Sequence, residues 1–311
     1  MKKIVVTGAL GHIGSKLIRT LPDSLNDDVE IIMIDNMLAQ RYCSLFNLPI
    51  GYKYKFIEAD ILEYDLDKLF RDVSYVVHLA AITDAANSFG NEEEIENVNF
   101  KGTKKVINAC IKNNCKLIFL STTSVYGTQK EVVDESCSAE DLKPQSPYAQ
   151  SKFKSELELK KYDDKLKYII LRFGTIFGYS IGMRFHTAVN KFCWQAVMGQ
   201  PLTIWKTAYN QKRPYLDLED GVNAIAFLIK NDIFDNEIYN VLTLNATVEN
   251  IIEIIEKNIS KLKIKFVETE IMNQLSYDVS NKKFKKLGFN FKGNLNYSIF
   301  NVINILKAIN E

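Results

Sequence analysis

Tyr148 and Lys152 stand four residues apart in the segment SPYAQSKFKSE, which has the composition of a helix start. Residues at this spacing share one helix face, so the phenol and the ammonium would be neighbours. A tyrosine phenol has an ordinary pKa of about 10 and is a poor base at neutral pH, but a nearby positive charge favours the phenolate. Such a pair could take a proton from an alcohol. In a chain with 15 tyrosines, the spacing alone is equally compatible with an ordinary exposed helix.

Hydroxyl side chains follow the apolar run KLIFL upstream of this pair: Ser121, Thr122, Thr123 and Ser124. Ligands of an open α/β sheet bind at the carboxyl ends of its strands. A hydroxyl at this strand end could therefore hydrogen-bond the same alcohol that Tyr148 deprotonates. The two segments together favour a site that oxidises or reduces an alcohol.

A glycine loop near the N-terminus has a different chemical use. In GALGHIG, Gly8, Gly11 and Gly14 lie between a strand-like run and an amphipathic one. Glycine lets the backbone turn tightly and approach a phosphate, and a helix starting near His12 would direct its N–H groups and positive dipole end at a pyrophosphate. A dinucleotide site of this kind also needs an acidic residue ~20 positions on, which binds a ribose diol. Asp35 closes the run VEIIMID at that distance.

Asp35 also indicates which dinucleotide is bound. Its carboxylate would repel a 2′-phosphate, and Asn36 and Met37 supply no cation to bind one. We therefore predict NAD rather than NADP as the cofactor. The alternative is a glycine-rich turn without a chemical role, and the neighbouring strand, helix and acid all disfavour it.

Short apolar strands alternate with helical stretches through the first half of the chain. The predicted strands are 4–8, 29–35, 54–60, 75–81, 116–122 and 168–174, with one more at 238–243. Helices are predicted near 12–21 and 92–113, and the tail after Thr247 as helix, short strand and helix. Near-continuous apolar strands between helices indicate an α/β fold with a doubly wound parallel sheet, covered on both faces.

Composition disfavours several classes of protein. Lys plus Arg (39) nearly equals Asp plus Glu (38), so no basic field indicates nucleic acid as a partner. No apolar run approaches the ~20 residues of a membrane span. Five cysteines without a C-x-x-C pair and three scattered histidines disfavour a disulfide framework and a metal site. We expect a cytoplasmic protein with no metal, no nucleic-acid partner and no membrane partner.

The chain resembles the extended short-chain dehydrogenase/reductases that act on nucleotide sugars, the NAD-dependent epimerase/dehydratase family. The resemblance runs nearly end to end, through TGALGHIG, IDN, HLAA, NFKGT, STTSVYG, PYAQSK, LRFGTIFG, RPYLDLEDGVNAI and LGFNFKGNL. It implies a Rossmann domain with a smaller C-terminal substrate-binding lobe, NAD as cofactor and a nucleotide-diphosphate sugar as substrate. It also implies a homodimer, in which the Tyr148 helix and the 92–113 helix pair across a two-fold axis.

We predict the domain boundaries from the point where the strand–helix rhythm breaks, near Ile176. Residues 1–175 would form the NAD-binding Rossmann domain, which also receives about 214–245. Residues 176–213 and 246–311 would form the nucleotide-sugar-binding lobe.

The resemblance also implies roles for individual residues. Tyr148 matches the catalytic base, Thr122 the hydroxyl that contacts the reacting alcohol, and Lys152 the residue that bonds the nicotinamide ribose and lowers the tyrosine pKa. The residues implied at the cofactor are Gly8, Gly11, His12, Ile13, Gly14, Asp35, Asn36, Asp60, Ile61, Leu79, Ala80, Ala81 and Asn99, together with Tyr148 and Lys152. Those implied at the substrate are Thr123, Thr175, Arg184, Asn190 and Arg213, of which Arg213 would grip the diphosphate.

Two departures from the family pattern bear on the reaction. In sugar 4,6-dehydratases of this family an Asp-Glu pair directly follows the active-site threonine, whereas this chain has Thr123 and Ser124. Hydroxyls cannot serve as that acid and base near neutral pH, so dehydration is disfavoured. Thr175 stands where an asparagine is common, which leaves the sugar open. We predict a nucleotide-sugar epimerase acting at C4 through a 4-keto intermediate. The alternatives are a C4 dehydrogenase or ketoreductase and a non-catalytic NAD-binding module.

Overall fold

A parallel sheet with helices on both faces forms the centre of the protein. The structure is a computed structural model, and we describe residues 1–25, 28–84, 88–127, 130–138, 140–268, 276–307 and 309. The strands in these ranges are β1 (Lys2–Thr7), β2 (Val29–Asp35), β3 (Lys53–Glu58), β4 (Tyr75–His78), β5 (Lys116–Thr122), β6 (Val132–Val133), β7 (Tyr168–Phe173), β8 (Thr175–Phe177), β9 (Leu202–Trp205), β10 (Arg213–Asp217), β11 (Ile238–Val241), β12 (Leu244–Ala246), β13 (Ile264–Val267) and β14 (Asp278–Val279).

The helices connect these strands and cover the sheet. They are α1 (His12–Leu25), α2 (Leu66–Leu69), α3 (Glu92–Ile95), α4 (Gly102–Asn113), α5 (Pro147–Lys160), α6 (Ala188–Val197), α7 (Leu218–Lys230), α8 (Val248–Glu256), α9 (Lys282–Lys285) and α10 (Leu295–Lys307). Short 3₁₀ turns occur at Tyr42–Leu45, Thr123–Val125 and Lys206–Ala208. In the described ranges, no helix is both long enough and apolar enough to cross a membrane.

The main sheet has the strand order β11-β7-β5-β4-β1-β2-β3, and every neighbouring pair is parallel. The direction of winding reverses between β1 and β4, which leaves a crevice at the carboxyl ends of these strands. Each of the seven predicted strands is one strand of this sheet, so the predicted doubly wound fold is confirmed. Val- and Ile-rich runs identify these strands because both of their faces are buried.

Apolar packing occurs on both faces of the sheet. Leu17 of α1 and Ile225 of α7 belong to the cluster on one face, and Ile107 of α4 and Leu159 of α5 to the cluster on the other. A third cluster joins α6, α8 and α10 to β9. Phe284 of α9 packs in the first cluster. The division into two lobes at the predicted boundaries stays a prediction.

The helix predicted near 92–113 is interrupted by a π-helical stretch, Glu96–Lys101, between α3 and α4. Asn99 lies in this stretch, where its amide accepts from the Ile82 N–H (2.8 Å) and donates to the Ile82 carbonyl (2.9 Å) and to Ser151 Oγ (3.1 Å). Local widening of a helix often occurs at functional sites. In this protein the π-helical stretch directs the Asn99 amide toward Ile82, which follows β4. A regular helical periodicity does not predict this contact.

Candidate active site

A cavity of about 650 Å³ lies at the carboxyl ends of β1, β4 and β5 and extends to β9 and β10. Nearly all predicted site residues line it: Gly8, Gly11, His12, Ile13, Gly14, Asp35, Asn36, Asp60, Ile61, Leu79, Ala80, Ala81, Thr122, Thr123, Tyr148, Lys152, Thr175, Arg184 and Arg213. The cavity thus joins the predicted cofactor, catalytic and substrate residues in one space.

Two predicted residues lie behind the cavity wall. Asn99 supports the chain after β4 through its contacts with Ile82, as described above. Asn190, predicted to bind substrate, is fully buried on α6; it accepts a hydrogen bond from the Gly178 N–H (3.2 Å) and donates one to the Arg184 carbonyl (3.1 Å). The direct substrate contact of Asn190 stays a prediction, and in this structure its amide holds the loop that carries Arg184.

The glycine loop bends tightly against β4. Gly8 has a φ of +65°, and a Cβ on it would lie 2.6 Å from the Ala80 backbone nitrogen. A Cβ on Gly14 would lie 2.6 Å from the Ala9 and Gly8 carbonyl oxygens. This close packing brings the first turn of α1, whose N–H groups have no intrahelical acceptor, to the cavity surface. The cradle fits a pyrophosphate, as the sequence predicts.

Asp35 fixes the other end of the predicted cofactor site. Its carboxylate, at the end of β2, accepts from the Leu10 N–H (3.0 Å) and the Met37 N–H (3.0 Å). Asn36 beside it donates to the Asp60 carboxylate (3.0 Å). The acid therefore ties the glycine loop to β2 while lining the cavity, which is the position that a ribose-binding carboxylate requires.

Tyr148 and Thr122 meet between α5 and β5. Ser146 caps the start of α5 by accepting from the Ala149 N–H (3.2 Å), and this places Tyr148 in the first turn, pointing into the cavity. The Thr122 hydroxyl lies near the Tyr148 phenol. Burial raises the pKa of Tyr148 to about 12, while Thr122 and the charge of Arg184 act in the lowering direction. A base at this position must therefore be activated by further positive charge.

Lys152 lies one turn along α5 and is only 3% exposed. Its Nζ is 4.9 Å from the centroid of the Phe119 ring. Burial lowers the pKa of Lys152 to about 7, and the negative charge of Glu156 acts in the opposite direction. Burial thus disfavours the ammonium beside the tyrosine, and the charge of Glu156 partly offsets this effect.

A buried ion pair, which the sequence reasoning missed, joins the catalytic elements. Glu156 of α5 accepts from Arg172 of β7 at both oxygens, with distances of 3.0 Å to Nε and 2.6 Å to Nη2. Ser121 of β5 donates to the same carboxylate (2.5 Å). Two sequence signals could have indicated this pair. Glu156 follows Lys152 by four residues, and Arg172 lies within the apolar run YIILRF.

Two of the predicted substrate residues are arginines that line the cavity. Arg213, on β10, donates to the Gln211 side chain (2.7 Å) and the Lys212 carbonyl (3.0 Å) and lies over the Tyr277 ring. Arg184 donates to the Thr83 hydroxyl. Both line the cavity, so the substrate end has the guanidinium groups that a diphosphate or another anion would need.

Further polar side chains that line the cavity include Arg41, Asp84 and His186. Burial lowers the pKa of His186 to about 4, with the charge of Arg184 acting in the same direction, so its ring is neutral near pH 7. Within the described residues, no group of three or more His, Cys, Asp or Glu side chains could hold a metal ion.

Comparison with known proteins places this arrangement in a family. The model of the NAD dependent epimerase/dehydratase family matches residues 4–241. The chain belongs to this family. Membership of the NAD-dependent epimerase/dehydratase family confirms the resemblance drawn from the motifs, and it confirms NAD as the cofactor at the level of the family.

Several solved and curated proteins are similar to this family member. UDP-glucuronic acid 4-epimerase from Bacillus cereus, solved with UDP-glucuronic acid and NAD, is 26% identical with a TM-score of 0.88 and 99% coverage of both chains. UDP-N-acetylglucosamine 4-epimerase from Methanobrevibacter ruminantium is 26% identical with a TM-score of 0.85, covering 99% and 98%.

A curated relative with several activities is also similar. The trifunctional UDP-glucose 4,6-dehydratase/3,5-epimerase/4-keto-L-rhamnose reductase of Arabidopsis thaliana is 30% identical over 94% of this chain, and the match spans only 45% of that longer protein. The family therefore includes both 4-epimerases and dehydratases with this fold, and fold alone does not choose between the reactions.

Proposed function

We propose that this protein is a NAD-dependent nucleotide-sugar epimerase that inverts C4 through a 4-keto intermediate. The observation that supports it most is that Tyr148, Thr122 and Lys152 line one cavity together with the glycine loop. These side chains suffice to remove and return one proton at a sugar alcohol. The epimerases of similar fold add weight to the assignment.

The chain's own residues perform the proton transfer in this proposal. Thr122 orients the C4 hydroxyl toward the Tyr148 oxygen, and Tyr148 as phenolate takes the hydroxyl proton. Lys152 in its charged form, which Glu156 favours against the effect of burial, stabilises the phenolate. NAD held by the glycine loop and Asp35 would supply the acceptor and donor for the C4 hydride. Tyr148 then gives the proton back, after the sugar has turned its other face to the cofactor.

Dehydration would need an acid and a base beside C5 and C6. Thr123, directly after Thr122, donates to the Phe173 carbonyl (3.3 Å), and Ser124 is exposed. Neither hydroxyl has a pKa suited to this work. Asp84 and His186 line the same cavity and are the groups that would have to supply an acid and a base if water were lost.

Arg184 bears on which sugar is accepted. It lies close enough to Tyr148 for its charge to lower the phenol's pKa, and a carboxylate on the sugar would meet this guanidinium. The similar 4-epimerase solved with UDP-glucuronic acid supports the same choice. We therefore propose a UDP-hexuronic acid as the first substrate to test, with Arg213 on its diphosphate.

A substrate panel tests the proposal. Purified protein is incubated with UDP-glucuronic acid, UDP-glucose, UDP-N-acetylglucosamine and the corresponding dTDP, GDP and CDP sugars, and products are followed by mass spectrometry and NMR. An epimerase gives a product of unchanged mass with inverted C4. Loss of two hydrogens with accumulation of NADH indicates the C4 dehydrogenase. A product lighter by one water contradicts both, and no turnover of any sugar with tight NAD binding indicates the non-catalytic module.

We also propose that the protein is a homodimer. The stretch from Glu92 to Asn113 lies beside α5, held by ion pairs of Lys154 with Glu96 and of Lys104 with Glu158, and Leu157 of α5 is exposed. Pairing of these helices with those of a second copy would cover Leu157. Light scattering at micromolar concentration should give twice the chain mass, and a monomer mass would contradict the proposal.

A further inference from the structure

Two segments flank the glycine loop, and each carries an arginine into the cavity. The first, residues 41–46, contains Arg41 and the 3₁₀ turn Tyr42–Leu45. The second, residues 178–184, follows β8 and ends in Arg184. Both arginines line the cavity. Burial lowers the pKa of Arg184 most, and the positive charge of Arg41 lowers it further.

Hydrogen bonds fix residues 41–46 against the glycine loop and α1. Ser44 is buried and donates from Oγ to the Leu10 carbonyl (2.9 Å), and its N–H donates to the Arg41 carbonyl (3.0 Å). Arg19 of α1 donates to the Phe46 carbonyl (2.6 Å). Arg41 is therefore carried by a segment held at both ends, and its backbone has a defined place beside Leu10.

Residues 178–184 are held equally closely. The buried His12 ring donates from Nε2 to the Gly178 carbonyl (3.0 Å), and Ser180 Oγ donates to the His12 carbonyl (2.9 Å). A Cβ on Gly182 would lie 2.6 Å from the Leu10 carbonyl oxygen, and Cys43 Sγ lies 3.6 Å from the Ile181 carbonyl oxygen. The two segments thus meet each other over the start of α1.

The Arg41 guanidinium is half-buried, and within the described ranges it makes no hydrogen bond or ion pair to a protein group. Burial lowers the pKa of Arg41 and has the larger effect. The negative charge of Asp35 acts in the opposite direction. The Asp35 carboxylate already accepts from the Leu10 and Met37 N–H groups. A half-buried guanidinium that lines a cavity and has its hydrogen-bond donors unused is suited to bind an anion that enters this cavity.

We infer that Arg41 binds the diphosphate of the dinucleotide cofactor beside the glycine loop and the start of α1. This inference rests on the proposed NAD-dependent function. The cofactor diphosphate is favoured over that of the nucleotide sugar because the Arg41 segment is bonded to the glycine loop and faces Asp35, whereas Arg213 lies on β10 at the substrate end. Such a clamp suits an enzyme that must keep its reduced cofactor until the hydride returns to the sugar.

The first measurement is the NAD(H) content of the purified full-length protein, compared among wild type, Arg41→Ala, Arg41→Lys and Arg71→Ala. Arg71 is an exposed arginine outside the cavity and controls for loss of one surface charge. We expect the Arg41→Ala protein to retain less cofactor, Arg41→Lys to be intermediate, and Arg71→Ala to equal wild type. Equal retention by all four proteins overturns the inference.

Calorimetric titrations of cofactor-stripped protein identify the group that Arg41 binds. Arg41→Ala should weaken ADP-ribose roughly 10- to 100-fold, the effect of one charge-assisted hydrogen bond, and leave adenosine unchanged. A loss confined to 2′-phospho-ADP-ribose assigns Arg41 to a 2′-phosphate, and a loss confined to UDP assigns it to the substrate; either overturns the inference. Equal weakening of adenosine and ADP-ribose indicates a structural role and overturns it as well.

The outcomes separate this inference from the proposed function. A wild-type protein that binds neither NAD nor ADP-ribose defeats the proposed function itself. If the wild type binds NAD and turns over a nucleotide sugar, and Arg41→Ala binds the cofactor equally well, only the proposed role of Arg41 is contradicted. If Arg41→Ala unfolds, Arg41→Gln preserves the side-chain length and removes the charge, and the same titrations apply to it.

Discussion

Removing the charge of Lys152 should stabilise the protein while abolishing its activity. Lys152 is almost completely buried, and its pKa falls from the ordinary 10.5 to about 7. The unfolded chain therefore binds more protons than the folded chain between pH 7 and pH 10.5, so this lysine lowers the free energy of unfolding there. The penalty is largest and constant below about pH 7, and it disappears as the pH approaches 10.5.

The magnitude follows from the two pKa values. At about 1.4 kcal/mol per unit, Lys152 costs about 4 kcal/mol at pH 7 and about 2 kcal/mol at pH 9. Lys152→Met keeps the length of the side chain and removes the charge. We expect the variant to exceed wild type in free energy of unfolding by about these amounts, with the difference shrinking as the pH rises.

Urea unfolding of cofactor-stripped protein, followed by circular dichroism at pH 7 and pH 9, measures this difference. Lys154→Met on the same helix is the matched control, because Lys154 is exposed and paired with Glu96, so its loss should change stability by less than ~1 kcal/mol at both pH values. A Lys152→Met protein less stable than wild type at pH 7, or a difference independent of pH, would refute the reasoning.

Other variants test separate parts of the site. Tyr148→Phe should lower turnover by at least ~100-fold with the fold intact, measured by product NMR and circular dichroism; near-normal turnover would remove Tyr148 as the base. Asp35→Ser should raise the affinity for NADP relative to NAD at least ~10-fold in calorimetric titrations, because the repulsion of a 2′-phosphate is lost; an unchanged ratio would contradict its role. Glu156→Gln leaves Arg172 without its ionic partner in the core and should cost about 3 kcal/mol in urea unfolding. Glu96→Gln, at an exposed pair with Lys154, should cost less than ~1 kcal/mol, and equal costs would contradict the importance of the buried pair.

The central sheet could be predicted from the sequence because its strands are buried on both faces and therefore appear as continuous apolar runs. The glycine loop and Asp35 were equally visible, since a tight turn, a helix start and an acid at the end of β2 recur in a fixed order. Tyr148 and Lys152 were indicated by their spacing on one helix face together with the hydroxyl residues that end the upstream strand. In each of these examples the signal is local in the sequence.

The contacts that the sequence did not show are long-range. Arg172 pairs with Glu156 only because β7 and α5 lie together in the folded chain. Arg41 enters the cavity because Ser44 bonds to the glycine loop 34 residues earlier. The resemblance implies a substrate contact at Asn190, and the structure adds that its amide is hydrogen-bonded to the backbone of Gly178 and Arg184. The π-helical stretch at Asn99 likewise depends on its contacts with Ile82 and Ser151.

The fate of the C4 hydrogen tests the central claim most directly. A UDP-sugar carrying deuterium at C4, beginning with UDP-glucuronic acid, is incubated with the protein in ordinary water, and both epimers are examined by NMR. The account predicts that deuterium stays at C4 of both epimers, because the hydride leaves and returns to the same carbon, and that no solvent hydrogen enters C3 or C5. Loss of deuterium from C4, or a product in which the C6 oxygen is missing, would contradict it.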